Sequence, residues 1–431
     1  MTTPQTSNDW RGGLGHGVRY GLLGLPLAFV ALPLYVILPN HYAREFGVPL
    51  ATLGLILLVA RLFDAFIDPL LGRWSDRLFA RSINAVLVFG AVAAVLLGAG
   101  FALLFFPPLQ LQSAPQKLLV WVTLMLMLTY AAYSALSVAH QSWGAMLGGD
   151  EAQRSRIVAW REGFGLVGVL IASVTPVALG LPATVVVFFV ALGVGWLAWT
   201  RAARPRPLPS LRSVSVWLPL QRAAFRRLLA VFLLNGIASA IPATLILFFV
   251  QDRLQAPKSL EPAFLGSYFL CAALAIPLWL RVVKHIGLAR TWLVGMVLSM
   301  AVFIFASQLG AGDTTAFIVV CALSGIALGT DLAMPAALLA GTIQGAGDQG
   351  RAEGAYFGWW NFATKLNLAL AAGVALPLLG AFGYAPGVRT ESALQALTIA
   401  YCVLPCALKL CAAATLYGWI IRPANSIRQT A

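Results

Sequence analysis

The amino-acid sequence predicts an all-α polytopic membrane protein, and three observations support this. Of the 431 residues, 60% are hydrophobic and only 10% are charged, whereas about a quarter of the residues of a soluble domain are charged. The mean hydropathy is +0.84. Apolar runs such as LPATVVVFFVALGVGWLAW approach the ~20 residues that a helix needs to cross a bilayer. These runs do not alternate polar and apolar residues, so the sequence does not predict a β-barrel.

Breaks at glycine, proline and charged residues divide the chain into twelve predicted spans. The first sixteen residues are polar, so we expect no cleavable signal peptide. The predicted spans are 17–40, 47–71, 83–107, 117–147, 157–180, 182–200, 223–250, 260–283, 288–308, 314–342, 353–382 and 392–421.

A basic, proline-containing stretch at 200–227 separates the first six spans from the last six. It carries seven arginines and four prolines, and we interpret residues 201–222 as a cytoplasmic linker. The predicted domains are an N-terminal bundle of six helices, 1–200, and a C-terminal bundle, 223–431. This six-plus-six plan is typical of a major facilitator transporter, in which two bundles alternate access to a solute at the midplane.

The distribution of lysine and arginine predicts the orientation. With the N-terminus inside the cell, 20 basic residues fall in cytoplasmic segments and 5 in external loops. We therefore expect both termini in the cytoplasm and the protein in the inner membrane. The bias also explains the net charge of +14 without any bound nucleic acid.

Two acidic residues in the second span are the first candidates for function. Asp64 and Asp68 are four residues apart, so a helix places both carboxylates on one face, and Arg61 lies beside Asp64. Ionised groups are costly at the centre of a bilayer and need partners. One interpretation is a structural Arg61–Asp64 pair with Asp68 in a cytoplasmic gate. The other is a coupling site at Asp64 and Asp68 for Na⁺ or a shared proton.

A basic residue in the eleventh span is the predicted partner of these acids. Lys365 lies deep in an apolar segment, where its side chain cannot easily reach the membrane surface, and Asn361 precedes it. We expect Lys365 to face Asp64 or Asp68 across the interface between the bundles.

Other classes of function lack their motifs. The five cysteines fall in apolar segments with no nearby histidine or carboxylate cluster, so no metal site is predicted apart from Na⁺ at the two aspartates. No Walker, HExxH or GxSxG motif is present. We therefore expect a transporter with no cofactor, and neither an ATP-driven pump nor an intramembrane enzyme.

Two segments carry a family resemblance. VARLFDAFIDPLLGRWSDR and GAYFGWWNFATKLNLALAAGVALPLLGAFGY resemble the hallmark segments of the glycoside–pentoside–hexuronide:cation symporters, the melibiose-permease type. The resemblance implies the major facilitator fold and cation-coupled uptake of a sugar or glycoside. It also implies that Asp64 and Asp68 belong to the cation site, and that Arg61, Arg161 and Lys365 line or support the central cavity.

Three acidic positions of the sugar-transporting members are absent. Leu27 and Ala28 stand where the first span would carry acid, the segment near Ser137 is neutral, and the tenth span reads AGTIQ. The loss of oxygen ligands favours a proton over Na⁺. We expect the substrate cavity to include Tyr133, Ser137, His140, Gln141, Asp331, Trp360 and Asn361.

Alternatives remain open at several of these positions. Asp331 either replaces a lost binding carboxylate or caps the helix around Pro335, and His140 either packs in the core or titrates. The aromatic residues also permit a lipid, lysolipid or other amphipathic substrate instead of a sugar. The expected partners are a small solute, a coupling ion and membrane lipids, and we expect a monomer.

Overall fold

The computed structural model describes residues 13–48, 50–112, 114–205, 215–382, 384 and 387–423, and it is almost entirely helical. By their contacts, the residues form two compact units. Unit 1 is Met1–Gln221 with Ile343–Phe362, and unit 2 is Arg222–Thr342 with Ala363–Ala431.

The helices of the first part of the chain belong to unit 1. They are α1 Leu14–Gly21, α2 Gly24–Phe29, α3 Leu38–Glu45, α4 Leu50–Arg81, α5 Ile83–Phe105, α6 Leu109–Gln112, α7 Pro115–Met146, α8 Glu151–Thr200 and α9 Leu218–Gln221.

One predicted span in unit 1 is interrupted, and two others meet at a kink. The first span, predicted as one segment over 17–40, consists of α1, α2, a π-helical turn at Pro33–Ile37, and α3. Proline has no N–H and cannot continue a regular ladder, which accounts for the breaks near Pro26 and Pro33. The fifth and sixth spans are two helical segments, Glu151–Pro176 and Ala178–Thr200, which we label together as α8 and which meet at a kink at Gly180 with φ 79° and ψ 169°. Only glycine adopts this conformation without steric cost.

Large aromatic side chains fill the core of unit 1. Trp143 and Trp199 are fully buried with ring centroids 5.2 Å apart, and the Trp143 indole donates a hydrogen bond to the Ala203 carbonyl at 2.8 Å. Nearby, Phe101 and Phe188 pack with centroids 4.5 Å apart. These contacts join α5, α7 and the part of α8 that follows Gly180.

The remaining helices begin at residue 223. They are α10 Ala223–Phe248, α11 Glu261–Ile286, α12 Leu288–Ala306, α13 Thr314–Gly345, α14 Glu353–Ala381, α15 Glu391–Thr398 and α16 Leu404–Leu416. A π-helical turn at Ile399–Val403 joins α15 to α16. The unit boundary falls within α13 and α14, so the start of α14 packs with unit 1.

Nine described helical segments are long and apolar enough to cross a membrane. They correspond to the third to tenth and the twelfth predicted spans. The first span is divided into short helices, and α4, which carries Arg61, Asp64 and Asp68, is the second predicted span. Together with α14, these complete the twelve spans of an all-α major facilitator fold. Residues 206–214 of the predicted linker lie outside the described part of the chain.

Candidate functional site

The two aspartates of the second span lie in the interior of unit 1. Asp64 and Asp68 are both buried on α4, one helical turn apart. The Ser134 hydroxyl of α7 donates a hydrogen bond to Asp64 Oδ1 at 2.8 Å. Arg61 is half-buried one turn earlier on the same helix. A carboxylate away from water needs such donors, so α7 supplies part of the polar environment of this acid pair.

The start of α14 passes in backbone contact with α4 beside Asp68. A Cβ on Gly358 would come within 2.6 Å of the Asp68 carbonyl oxygen, and one on Gly72 would fall on the Gly354 carbonyl. Only glycine permits this approach without moving one of the helices. Residues 353–362 therefore cross α4 in close backbone contact between Asp68 and Gly72.

Asp76, five residues after the end of the predicted second span, caps the start of α14. Its carboxylate accepts hydrogen bonds from the backbone N–H groups of Gly354 at 2.6 Å and Ala355 at 2.8 Å. Burial raises the pKa of the Asp76 carboxyl well above its ordinary value, the nearby Glu353 adds to this, and the two N–H donors oppose it. Asp76 was not predicted as a functional residue, because its hydrogen bonds join residues 278 positions apart in the chain.

Two more of the predicted cavity residues, Arg161 and His140, lie within unit 1. The Arg161 guanidinium donates to Glu162 Oε1 from Nη2 at 2.6 Å and from Nε at 3.0 Å, so the two neighbours form a local ion pair. His140 is fully buried, its Nε2 lies 2.8 Å from the Tyr20 carbonyl, and its ring packs on the Tyr20 ring. This environment is that of a packed core histidine, and a titrating role for His140 stays a prediction.

Two of the other predicted cavity residues of unit 1 are hydrogen-bonded to each other. The Gln141 amide donates to the Ser137 hydroxyl at 2.9 Å within α7. Trp360 is buried, and Tyr133 and Asn361 are half-buried. Their contact with a substrate stays a prediction.

Asp331 is the centre of a polar cluster in unit 2, which we call the Asp331 cluster; the Asp331 side chain is 16% exposed and that of Lys409 is 6% exposed. Its four other members come from three helices: Asn235 and Ser239 of α10, Trp292 of α12 and Lys409 of α16. Lys409 Nζ lies 3.0 Å from Asp331 Oδ2 and 2.8 Å from Asn235 Oδ1.

The Asp331 carboxylate is saturated with donors. Oδ1 accepts from Asn235 at 3.0 Å and from Trp292 at 2.8 Å, and Oδ2 accepts from Lys409 and from Ser239 at 3.2 Å. These bonds connect Asp331 to side chains of three other helices. A cap around Pro335, the alternative interpretation, would instead bond Asp331 to the backbone of its own helix. Lys409 could have been singled out from the sequence, because, like Asp331, it is a charged residue within an apolar span of the second half of the chain.

Lys365, the predicted partner of the two aspartates, belongs to unit 2 and is half-buried on α14. Two residues later, Asn367 is buried, and a Cβ on Gly236 would overlap its amide, so α10 and α14 are in close contact there. The pairing of Lys365 with Asp64 or Asp68 stays a prediction. No group of three or more His, Cys, Asp or Glu side chains suited to a metal ion occurs among the residues that the structure describes.

A polytopic helical fold with buried acids in its spans defines a membrane transporter. Comparison with known proteins agrees, because the family model described as MFS/sugar transport protein matches residues 19–421. The chain therefore belongs to the major facilitator family of sugar transporters, and it is a transporter rather than an enzyme.

Individual relatives and structures support this assignment. A "Putative sulfoquinovose importer" of Escherichia coli (strain K12) is 26% identical over 434 residues, which cover 93% of this chain and 89% of the relative. An "Uncharacterized symporter YjmB" of Bacillus subtilis (strain 168) is 24% identical, with 87% and 86% covered. The solved structure of a bacterial homologue of the iron transporter ferroportin has a TM-score of 0.71 at 14% identity, covering 94% of this chain and 99% of that one. At this identity the structural likeness shows the fold alone.

Proposed function

We propose that this protein is a symporter that couples the uptake of a sugar or glycoside to the entry of a cation at Asp64 and Asp68. The observation that carries the proposal is the burial of two carboxylates one turn apart on α4, within a predicted span whose one other charged residue is Arg61. Such groups are costly in a membrane protein and are retained where an ion must be bound and released. The resemblance to cation symporters and the symporter name of the Bacillus relative point the same way.

The coupling ion is proposed to be a proton. Two negative charges one helical turn apart repel each other, so the pair favours holding one proton between its members. The Ser134 hydroxyl donates its hydrogen bond to Asp64, and this arrangement suits a carboxylate that is ionised part of the time. The protein is proposed to act in the inner membrane with both termini in the cytoplasm, in line with the positive-inside bias.

The proposed solute is a sugar that bears an acidic group. Three acidic positions expected of the sugar-transporting family members are apolar or neutral in this chain, whereas Arg61 and Lys365 are present within the spans. This balance favours an anionic substrate, because a lysine or arginine side chain forms strong charge-assisted hydrogen bonds with a sulfonate or carboxylate. The Escherichia coli relative is named for a sulfonated sugar, which makes sulfoquinovose the first compound to test.

The test is transport into proteoliposomes that contain the purified protein. Uptake of labelled sulfoquinovose is measured with an inward proton gradient, with an inward Na⁺ gradient, and with neither. Asp64→Asn and Asp68→Asn keep the side-chain size and remove the ionisable group. Asp313→Asn, in an exposed turn, is the matched control.

We expect proton-driven accumulation by the wild type and by Asp313→Asn, and a fall of at least about tenfold in both span mutants. Exchange of solute at equal concentrations should survive in the mutants, because it needs no net ion movement. Undiminished accumulation in both mutants would refute the coupling site. Accumulation driven by Na⁺ alone would refute the choice of ion, and transport of lysolipids but of no sugar in the same vesicles would refute the choice of substrate.

A further inference from the structure

Unit 2 contains a cavity that the proposed coupling site does not use. Its volume is about 240 Å³, and all of its lining residues come from five helical segments of unit 2. Liquid water occupies about 30 Å³ per molecule, so the cavity has room for a molecule of roughly eight or nine heavy atoms. A well-packed interior has few voids larger than a water molecule, and this volume is therefore unusual for helix packing alone.

The cavity is polar at one end. Asp331, Lys409 and Ser239 of the Asp331 cluster contribute to its wall. A lysine ammonium has three donors, and Lys409 uses two of them, on Asp331 and Asn235. The third N–H is available to an acceptor in the cavity.

A second polar group lies further along the wall. The Ser324 hydroxyl is buried, lines the cavity, and has no hydrogen-bond partner among the residues that the structure describes. An unmade hydrogen bond at a buried hydroxyl costs about 1–3 kcal/mol, so a ligand that supplies the missing partner gains that much.

The opposite end of the cavity is apolar and aromatic. On α16 and the turn before it, the lining runs from Lys409 back to Tyr401, eight residues or about 12 Å at 1.5 Å per residue. Ile246 and Phe303 complete this apolar end. The cavity is therefore elongated, with hydrogen-bonding groups at one end and aromatic rings at the other.

The charges at the polar end cancel. The carboxylate of Asp331 and the ammonium of Lys409 are in direct contact at 3.0 Å. A ligand with its own net charge would leave one ion uncompensated in a buried site, which is strongly unfavourable. The site therefore favours an uncharged head group.

We propose that this cavity is a second binding site, which takes a small uncharged amphiphile with a hydroxyl or carbonyl head and an aromatic body of about nine heavy atoms. The head oxygen accepts from Lys409, and the ring lies beside Tyr401 and Phe303. The Ser324 hydroxyl, seven residues or about 10 Å from Asp331 along α13, lies beside the body of the ligand instead of its head. A ligand bound here stabilises unit 2 in the arrangement that forms the cavity.

Two cysteines of the same helix provide the test. Cys406 lines the cavity, whereas Cys411 is exposed and does not. Two single-cysteine versions of the full-length protein retain one or the other, and their reaction with a small maleimide is timed in detergent and in lipid nanodiscs. The probe is 2-phenylethanol, and phenylacetate is the charged analogue with the same skeleton. Glucose is the hydrophilic control.

At about nine times its dissociation constant, 2-phenylethanol should slow the reaction of Cys406 about tenfold and leave that of Cys411 unchanged. Phenylacetate and glucose should protect neither. Ser324→Leu, which fills the cavity, should make Cys406 slow without the probe and insensitive to it, and an unchanged thermal midpoint will show that this variant is folded. Equal protection by phenylacetate, protection by glucose, or no protection by the alcohol would each overturn the proposal. Protection of Cys406 by lipid in place of the alcohol would also overturn it, since an acyl chain would then be the occupant.

Discussion

The Asp331–Lys409 pair, of which Lys409 is buried and Asp331 is half-buried, makes the sharpest stability prediction. Removal of one partner of a buried ion pair costs about 3–5 kcal/mol, because the other charge is left without compensation. In Lys409→Met, the Asp331 carboxylate keeps its three neutral donors, Asn235, Trp292 and Ser239. We therefore expect a loss near the lower limit, about 3 kcal/mol.

Asp331→Ala should be more damaging. It leaves the Lys409 ammonium with only its bond to Asn235, and it removes the acceptor of both Trp292 and Ser239. Each orphaned buried donor costs about 1–3 kcal/mol. The free energy of unfolding should therefore fall by at least about 2 kcal/mol more than in Lys409→Met.

The assay is a double-mutant cycle on unfolding in mixed micelles, followed by tryptophan fluorescence. Because the double mutant Lys409→Met/Asp331→Ala carries neither charge, its loss should be at least about 2 kcal/mol smaller than the two single losses together. Lys284→Met, at an exposed position of α11, is the control and should lie within about 0.5 kcal/mol of the wild type. Additive losses, or equal losses in the two single mutants, would refute the reasoning.

Three further predictions concern other parts of the chain. Asp76→Ala removes the acceptor of two buried N–H groups at the start of α14 and should lower the free energy of unfolding by about 2 kcal/mol or more. The control, Asp150→Ala, removes one exposed hydrogen bond at the start of α8 and should cost less. The reverse order of the two losses would contradict the argument that the buried cap matters more. Ser210→Cys, in the predicted linker, should react with a membrane-impermeant maleimide in inverted vesicles but not in intact cells, and rapid labelling in cells would reverse the proposed orientation. Lys365→Ala should abolish accumulation of the solute. If Lys365 neutralises the acid pair, the double mutant Lys365→Ala/Asp64→Asn should regain stability but not accumulation. Additive stability losses would show that Lys365 and Asp64 do not interact.

Local geometry explains why the class of the protein and one pair of acids were predictable. Hydropathy and the lysine and arginine bias act within single segments, so the twelve spans could be read along the chain. Asp64 and Asp68 share a face of α4 because a helix brings residues four apart together, whatever the rest of the protein does. The pairing of Arg161 with Glu162 is equally local.

Breaks within spans were only partly predictable. Gly180 was expected at a boundary, and the structure bends there because glycine alone adopts its positive φ without cost. The division of the first span into short pieces was not expected, since hydropathy reports how apolar a segment is and says little about its backbone. The prolines in that segment were the available signal.

The partners of the buried polar groups depended on the tertiary structure. Asp331 and Lys409 are 78 residues apart, Asn235 and Lys409 are 174 apart, and Asp76 caps a helix 278 residues away. By itself, the sequence determined that these charged groups lie in or beside apolar segments and so must find partners. Which groups meet was decided only by the packing of α10, α12, α13 and α16, and of α4 against the start of α14, because hydrogen bonds require atoms about 3 Å apart and nothing local to each helix specifies its neighbour.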